Sequence, residues 1–95
     1  NNAYKFELSD NIPNPFNPTT KIKYELPEAG FVKLAVYDIS GREIRILADE
    51  FRDAGQYEVI FNSYDDQGGS LSSGIYFYKL QSEGLSLTKR MILIK

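Results

Sequence analysis

Apolar and polar residues alternate along this sequence with almost no helical period. Ile22, Tyr24 and Leu26 alternate with Lys21, Lys23 and Glu25, which predicts an extended strand with one apolar face and one charged, solvated face. Pro27-Glu28-Ala29-Gly30 then turns the chain. Beyond it, Val32, Leu34 and Val36 alternate with Phe31, Lys33, Ala35 and Tyr37; the second face is itself partly apolar, as in a strand at the centre of a sheet. Asp38-Ile39-Ser40-Gly41 carries Asp at the first position and Gly at the fourth. That pattern suits a type I turn closing into a bulge, so Phe31 to Tyr37 and Glu43 to Ala48 are expected to form a hairpin, with Ile44 and Ile46 on its core face.

Tyr57, Val59 and Phe61 next alternate with Gln56, Glu58 and Ile60 after the break at Asp53-Ala54-Gly55. An Asp-, Gly- and Ser-rich loop from Asn62 to Ser73 follows. Gly74-Ile75-Tyr76-Phe77-Tyr78-Lys79-Leu80 is apolar on both faces and belongs in the middle of a sheet. Ser82-Glu83-Gly84 supplies a short hairpin turn into a last strand from Leu87 to Ile94. With an opening strand from Tyr4 to Leu8 the expectation is seven strands, all-β, spaced as in an antiparallel sandwich. Residues 1–95 read as a single domain in which 1–3 are a disordered lead-in. The missing initial methionine suggests a piece of a longer chain.

Asn14-Pro15-Phe16-Asn17-Pro18, with Pro13 just before it, dictates a stiff, non-repetitive path. Each proline fixes its own φ and biases the residue before it toward extended geometry, while Asn14 and Asn17 can fold their amides onto nearby backbone. The run reads as a rigid lead-in to the strand at Lys21, with Phe16 as a plug packed on the domain. An exposed polyproline docking ligand is the alternative.

Composition narrows the chemistry. The chain has no His and no Cys, which excludes His-based acid/base catalysis, thiol nucleophiles and the usual zinc ligand sets. A net charge of −2, from 11 basic and 13 acidic residues, gives no electrostatic footprint for nucleic acid. Asp65-Asp66-Gln67-Gly68-Gly69 has oxygen ligands but lacks the spacing of a calcium loop, and a solvated turn accounts for it better. No cofactor or metal is expected, and no segment is apolar enough to span a bilayer.

Four blocks occur in order: Asn11 to Ile22, Val36 to Ile44 through Asp38, Gly41 and Arg42, Ser73 to Tyr78 through Gly74 and Tyr76, and Thr88 to Lys95. Together they resemble the C-terminal sorting domain, type A, of the type IX (Por) secretion system, over nearly the whole chain from Phe6 to Lys95. The resemblance implies an immunoglobulin-like β-sandwich at the C-terminus of a larger secreted enzyme or adhesin of a Bacteroidetes-like bacterium. It implies a non-catalytic export address: the protein crosses the periplasm, the outer-membrane translocon reads the address, and a sortase-like peptidase often removes it. The cargo domain, on the N-terminal side, is left at the cell surface or outside the cell.

Lys89, Arg90, Met91, Ile92, Leu93, Ile94 and Lys95 are the candidate recognition residues, since the last strand can be an edge to which a receptor adds a strand. The same residues also suit a last core strand. Two other readings are a passive Ig-like spacer, because the blocks are similar to the Ig-like domain of the flagellar hook-capping protein, and carbohydrate binding, which the absence of Trp disfavours.

Overall fold

A computed structural model describes residues 4–95; the expected lead-in at 1–3 lies outside the described residues. The chain forms β1 (Glu7–Leu8), β2 (Thr20–Leu26), β3 (Gly30–Tyr37), β4 (Glu43–Arg52), β5 (Gly55–Phe61), β6 (Gly74–Ser82) and β7 (Leu85–Leu93). These make two antiparallel sheets, ordered β1-β2-β5 and β4-β3-β6-β7, which face each other as the expected immunoglobulin-like sandwich. Ile22, Tyr24 and Leu26 of β2 and Phe61 of β5 meet Val32, Leu34, Val36, Tyr78, Leu80, Met91 and Leu93 of the larger sheet in one buried cluster. Removing each such side chain from water contributes about 1.5 to 3 kcal/mol, which fixes the register of every strand that supplies one.

Both predicted tight turns form. At Asp38 to Gly41 the Gly41 N–H donates to the Asp38 carbonyl at 2.9 Å, the Asp38 N–H donates to the Arg42 carbonyl at 3.0 Å, and Gly41 has φ of 88°. A side chain at that φ clashes with its own backbone, hence the glycine. The β6–β7 hairpin turns on Glu83 and Gly84, with φ of 50° and 79°. Two successive positive φ values mark the two-residue turn whose twist matches its strands.

Two expectations need correction. The opening strand is Glu7–Leu8 instead of Tyr4 to Leu8, because the Lys5 N–H donates to the Glu25 carboxylate at 2.9 Å and so leaves the ladder with β2. Ile46 does not share the core face with Ile44. Leu34 pairs with Ala48 while Ala35 pairs with Ile46, and Val36 pairs with Arg45 while Tyr37 pairs with Glu43. Leu47 and Ile44 are therefore extra residues, and each such bulge shifts the period-2 alternation by one. Ile44 and Ala48 point inward, and Ile46 is turned out to 37% exposure.

Candidate functional site

The last strand is an edge, since β7 lies outside β6 in the larger sheet. Its register against β6 runs unbroken from Leu85 opposite Ser82 to Leu93 opposite Gly74. Alternate residues therefore keep one face throughout. Met91 and Leu93 are buried in the core, Lys89 and Ile92 are half-buried, and Arg90, Ile94 and Lys95 are exposed. The seven candidate residues are thus divided: two act by packing, and five present side chains toward solvent to some degree.

The proline-rich segment lies beside the end of this strand. Its first part follows β2, with the Ser9 N–H donating to the Lys23 carbonyl at 2.9 Å and Ile12 bridged to Lys21. The peptide bonds before Pro13, Pro15 and Pro18 are cis. At Pro13 to Pro15 the chain changes sheet, and Phe16 forms a parallel bridge with Leu93. The Phe16 N–H donates to the Ile92 carbonyl at 2.9 Å, the Phe16 carbonyl accepts from the Ile94 N–H at 3.0 Å, and the Asn14 Oδ1 accepts from the Ile92 N–H at 3.0 Å. Phe16 is 1% exposed, its ring tilted against Phe61 at 6.0 Å. It is the expected plug, while the Asn14 amide, expected to fold onto nearby backbone, instead accepts from the distant Ile92 N–H. Asn17 and Pro18 stay exposed and carry the chain to Thr20.

Several tyrosines pin this framework. The Tyr76 hydroxyl donates to the Ser72 carbonyl and the Tyr57 hydroxyl to the Asp53 carbonyl, each at 2.6 Å and four residues back, which fixes how the chain enters β6 and β5. The Tyr78 hydroxyl donates to the Ser9 carbonyl at 2.6 Å. Burial pushes the Tyr78 phenol up to about 12, although a hydrogen bond from the Asn11 backbone favours the ionised form. Asn11 is itself buried, and its Nδ2 donates to the Pro13 carbonyl and to Thr20 Oγ1 at 3.1 Å each.

The turn residues have structural work. Asp38 Oδ1 accepts from the Ser40 hydroxyl at 2.6 Å, the Ser40 N–H at 2.9 Å and the Arg42 N–H at 3.0 Å, and Arg42 also reaches its carboxylate at 3.3 Å. The Ser40 hydroxyl first, then the Arg42 N–H, holds the Asp38 carboxyl below its ordinary value. Asp65 Oδ1 accepts from the Gln67 and Gly69 N–H groups, the turn expected there. Asp66 has a role the sequence did not signal: its N–H donates to the Ile44 carbonyl and its Oδ2 accepts from the Ile46 N–H, both at 3.0 Å, covering the start of the β4 edge. Asp10 was likewise missed. It pairs with Lys89 at 3.1 Å, across the gap between the β1 and β7 edges. Neither signal is visible locally, because each partner lies far along the chain.

Taken together, the fold defines a small immunoglobulin-like module with one sheet edge strapped by its own N-terminal segment. The family model for the secretion system C-terminal sorting domain matches residues 12–95, and the chain belongs to that family. This is the type IX family that the four sequence blocks resemble, and the domain is a sorting signal for export to the cell surface or extracellular space. No curated protein matches the sequence. Among solved structures it is similar to dimeric latent PorU from Porphyromonas gingivalis, at 18% identity and a TM-score of 0.68 over 90% of this chain and 9% of that one. It is similar to FlgD from P. aeruginosa, at 22% identity and a TM-score of 0.62 over 78% of this chain and 59% of that one. A third is PorZ, an essential surface component of the type IX secretion system of P. gingivalis, at 18% identity and a TM-score of 0.60 over 95% of this chain and 11% of that one. At these identities the likeness is one of fold, and the chain spans less than two thirds of each of these proteins.

Proposed function

We propose that residues 1–95 are one non-catalytic domain at the C-terminal end of a longer exported protein of a Bacteroidetes-like bacterium, with an enzyme or adhesin as cargo ahead of Asn1. The cargo crosses the periplasm, and the outer-membrane translocon takes hold of the domain through β7. A sortase-like peptidase is the second partner and separates cargo from signal. The observation that carries this reading is the family match, which runs through the last strand to Lys95.

Within β7, Lys89 and Arg90 are the recognition residues to test first. Arg90 is exposed, and the Lys89 pair with Asp10 joins side chains 38% and 83% exposed, so neither contributes much to folding. Met91 and Leu93 support recognition by holding the strand in place, and Ile92, Ile94 and Lys95 line its outer end.

The test is a fusion of Asn1 to Lys95 behind a periplasm-targeted fluorescent protein in a host with type IX secretion. The intact fusion is expected at the surface or in the medium. A Lys89→Ala/Arg90→Ala variant is expected to fold and stay in the periplasm. A fusion lacking Arg90 to Lys95 is also expected to stay there, but it loses the core residues Met91 and Leu93, so the double substitution is the variant that separates recognition from folding. Normal export of both altered fusions, in a strain where export requires the translocon, refutes the assignment of the signal to this strand.

A further inference from the structure

The outer edge of β7 is two unlike halves. Antiparallel pairing sends the backbone N–H and C=O of alternate residues inward to the partner strand and outward to the other side. Ser82 opposite Leu85 closes a two-residue hairpin, and Ile92 gives both its N–H and its C=O to Asn14 and Phe16. Both facts set the same parity. The groups of Ser86, Thr88, Arg90 and Ile92 point outward, and the unbroken register keeps them so. The strap satisfies Ile92. No backbone hydrogen bond from the described residues reaches the outward groups of Ser86, Thr88 or Arg90.

Beside this open half runs a cleft of about 580 Å³, lined by Phe6 to Asp10 on one side and Leu87 to Lys89 on the other. The β4 edge, by contrast, is bulged twice and capped by Asp66. Natural sheets blunt their edges with such devices, and a flat stretch of unpaired edge is a template for another strand.

We propose that Ser86 to Arg90 receives an extended segment of the secretion machinery by strand addition, its side chains alternating acidic and apolar. The alternation follows from the two faces the added strand continues. On the outer face it lies beside Thr88 and Arg90, in a row that includes Phe77 opposite Arg90 and Lys79 opposite Thr88, and Lys79 Nζ sits 5.5 Å from the Tyr37 ring centroid. Two cations on that face favour carboxylates. On the inner face it lies over Phe6 and Leu87, which pack against the core, and beside Lys89, whose charge is already met by Asp10, so there apolar side chains fit. The strap over Ile92 to Ile94 stops the addition from running to the end of the strand, so the site takes a short segment, with backbone hydrogen bonds supplying affinity and the alternating side chains specificity.

The inference rests on the sorting role of the domain, and one experiment separates the two. Fluorescent fusions of the full chain are compared as wild type, Thr88→Pro, Arg90→Glu and Lys23→Glu, with folding of each 95-residue variant checked by thermal unfolding. Thr88→Pro removes an outward N–H and no ladder bond, the one way a proline is tolerated at an edge. Arg90→Glu reverses the outer-face charge and keeps the backbone. Lys23 lies on the solvent face of the other sheet and should be neutral. Expected is export of wild type and Lys23→Glu, with Thr88→Pro and Arg90→Glu each reduced about tenfold, the effect of losing roughly 1.4 kcal/mol of binding. Wild-type export matched by folded Thr88→Pro overturns strand addition and leaves the sorting role standing. If Thr88→Pro does not fold, undiminished export of Arg90→Glu overturns the acidic strand instead. Failure of the wild-type fusion itself overturns the sorting role, and the inference with it.

Discussion

Phe16 and Leu93 lie side by side as a parallel bridge, the only parallel pairing among the described residues of an otherwise antiparallel fold. The segment that opens the domain thereby holds the strand that closes it. An edge strand left bare at its end frays and exposes its apolar residues, and here Asn14 and Phe16 occupy the backbone groups of Ile92 and Ile94.

This strap should be worth several kcal/mol. Phe16→Ala empties a site 1% exposed and is expected to cost about 3 to 5 kcal/mol, while Asn14→Ala, which frees the Ile92 N–H, should cost about 1 kcal/mol. Urea midpoints give both values.

The central strands allow a test of facing. Val36→Ala and Tyr78→Ala, both at fully buried sites, should each cost roughly 2 to 5 kcal/mol. Lys33→Ala breaks only a half-exposed pair with Glu43 and should cost less than about 1 kcal/mol. Equal losses for Lys33→Ala and Val36→Ala would contradict the facing of β3.

At the first hairpin, Gly41→Val forces a β-branched residue to φ of 88° and should cost more than about 1 kcal/mol; Ser40→Ala should be milder. The same turn carries a pH signature. Because the Asp38 carboxyl is held below its ordinary 3.8 in the folded state, its contribution is complete above that pH and is lost as pH falls through the depressed value. Thermal midpoints of wild type and Asp38→Asn should therefore converge in acid. Midpoints that stay a constant distance apart would show that the carboxylate charge does not matter to the turn.

Tyr78 gives the opposite dependence. Its folded value of about 12 lies above the ordinary 10.0, so the folded state keeps the phenol proton longer than the unfolded chain does. The stabilisation is complete below about pH 10 and is lost as pH rises toward 12. Burial also raises Tyr24 and Tyr37, so phenolate absorbance should show a late-titrating group of tyrosines, and Tyr78→Phe should reduce the amplitude of that late step. The variant should also lose about 1 kcal/mol at neutral pH, as the Ser9 carbonyl gives up its donor.

Sequence alone determined whatever depends on neighbours a few residues apart. Alternation placed β2, β3 and β5 with their faces, and a run apolar on both faces marked β6 as a central strand. Asp38 with Gly41, and Glu83 with Gly84, fixed turns whose backbone angles few other residues accept. The prolines from Pro13 to Pro18 excluded helix and made Phe16 a plug, and four blocks in order were enough to point to the family. Tertiary structure decided what depends on pairing between distant segments. The bulges at Leu47 and Ile44 exist only where β4 meets β3, so alternation could not foresee that Ile46 faces out. The strap from Asn14 to Phe16, the cap from Asp66 and the pair of Asp10 with Lys89 each join residues brought together by the sandwich. Which half of β7 is open follows from them. An edge is defined by the strand that is not beside it, and a linear sequence carries no local mark of that.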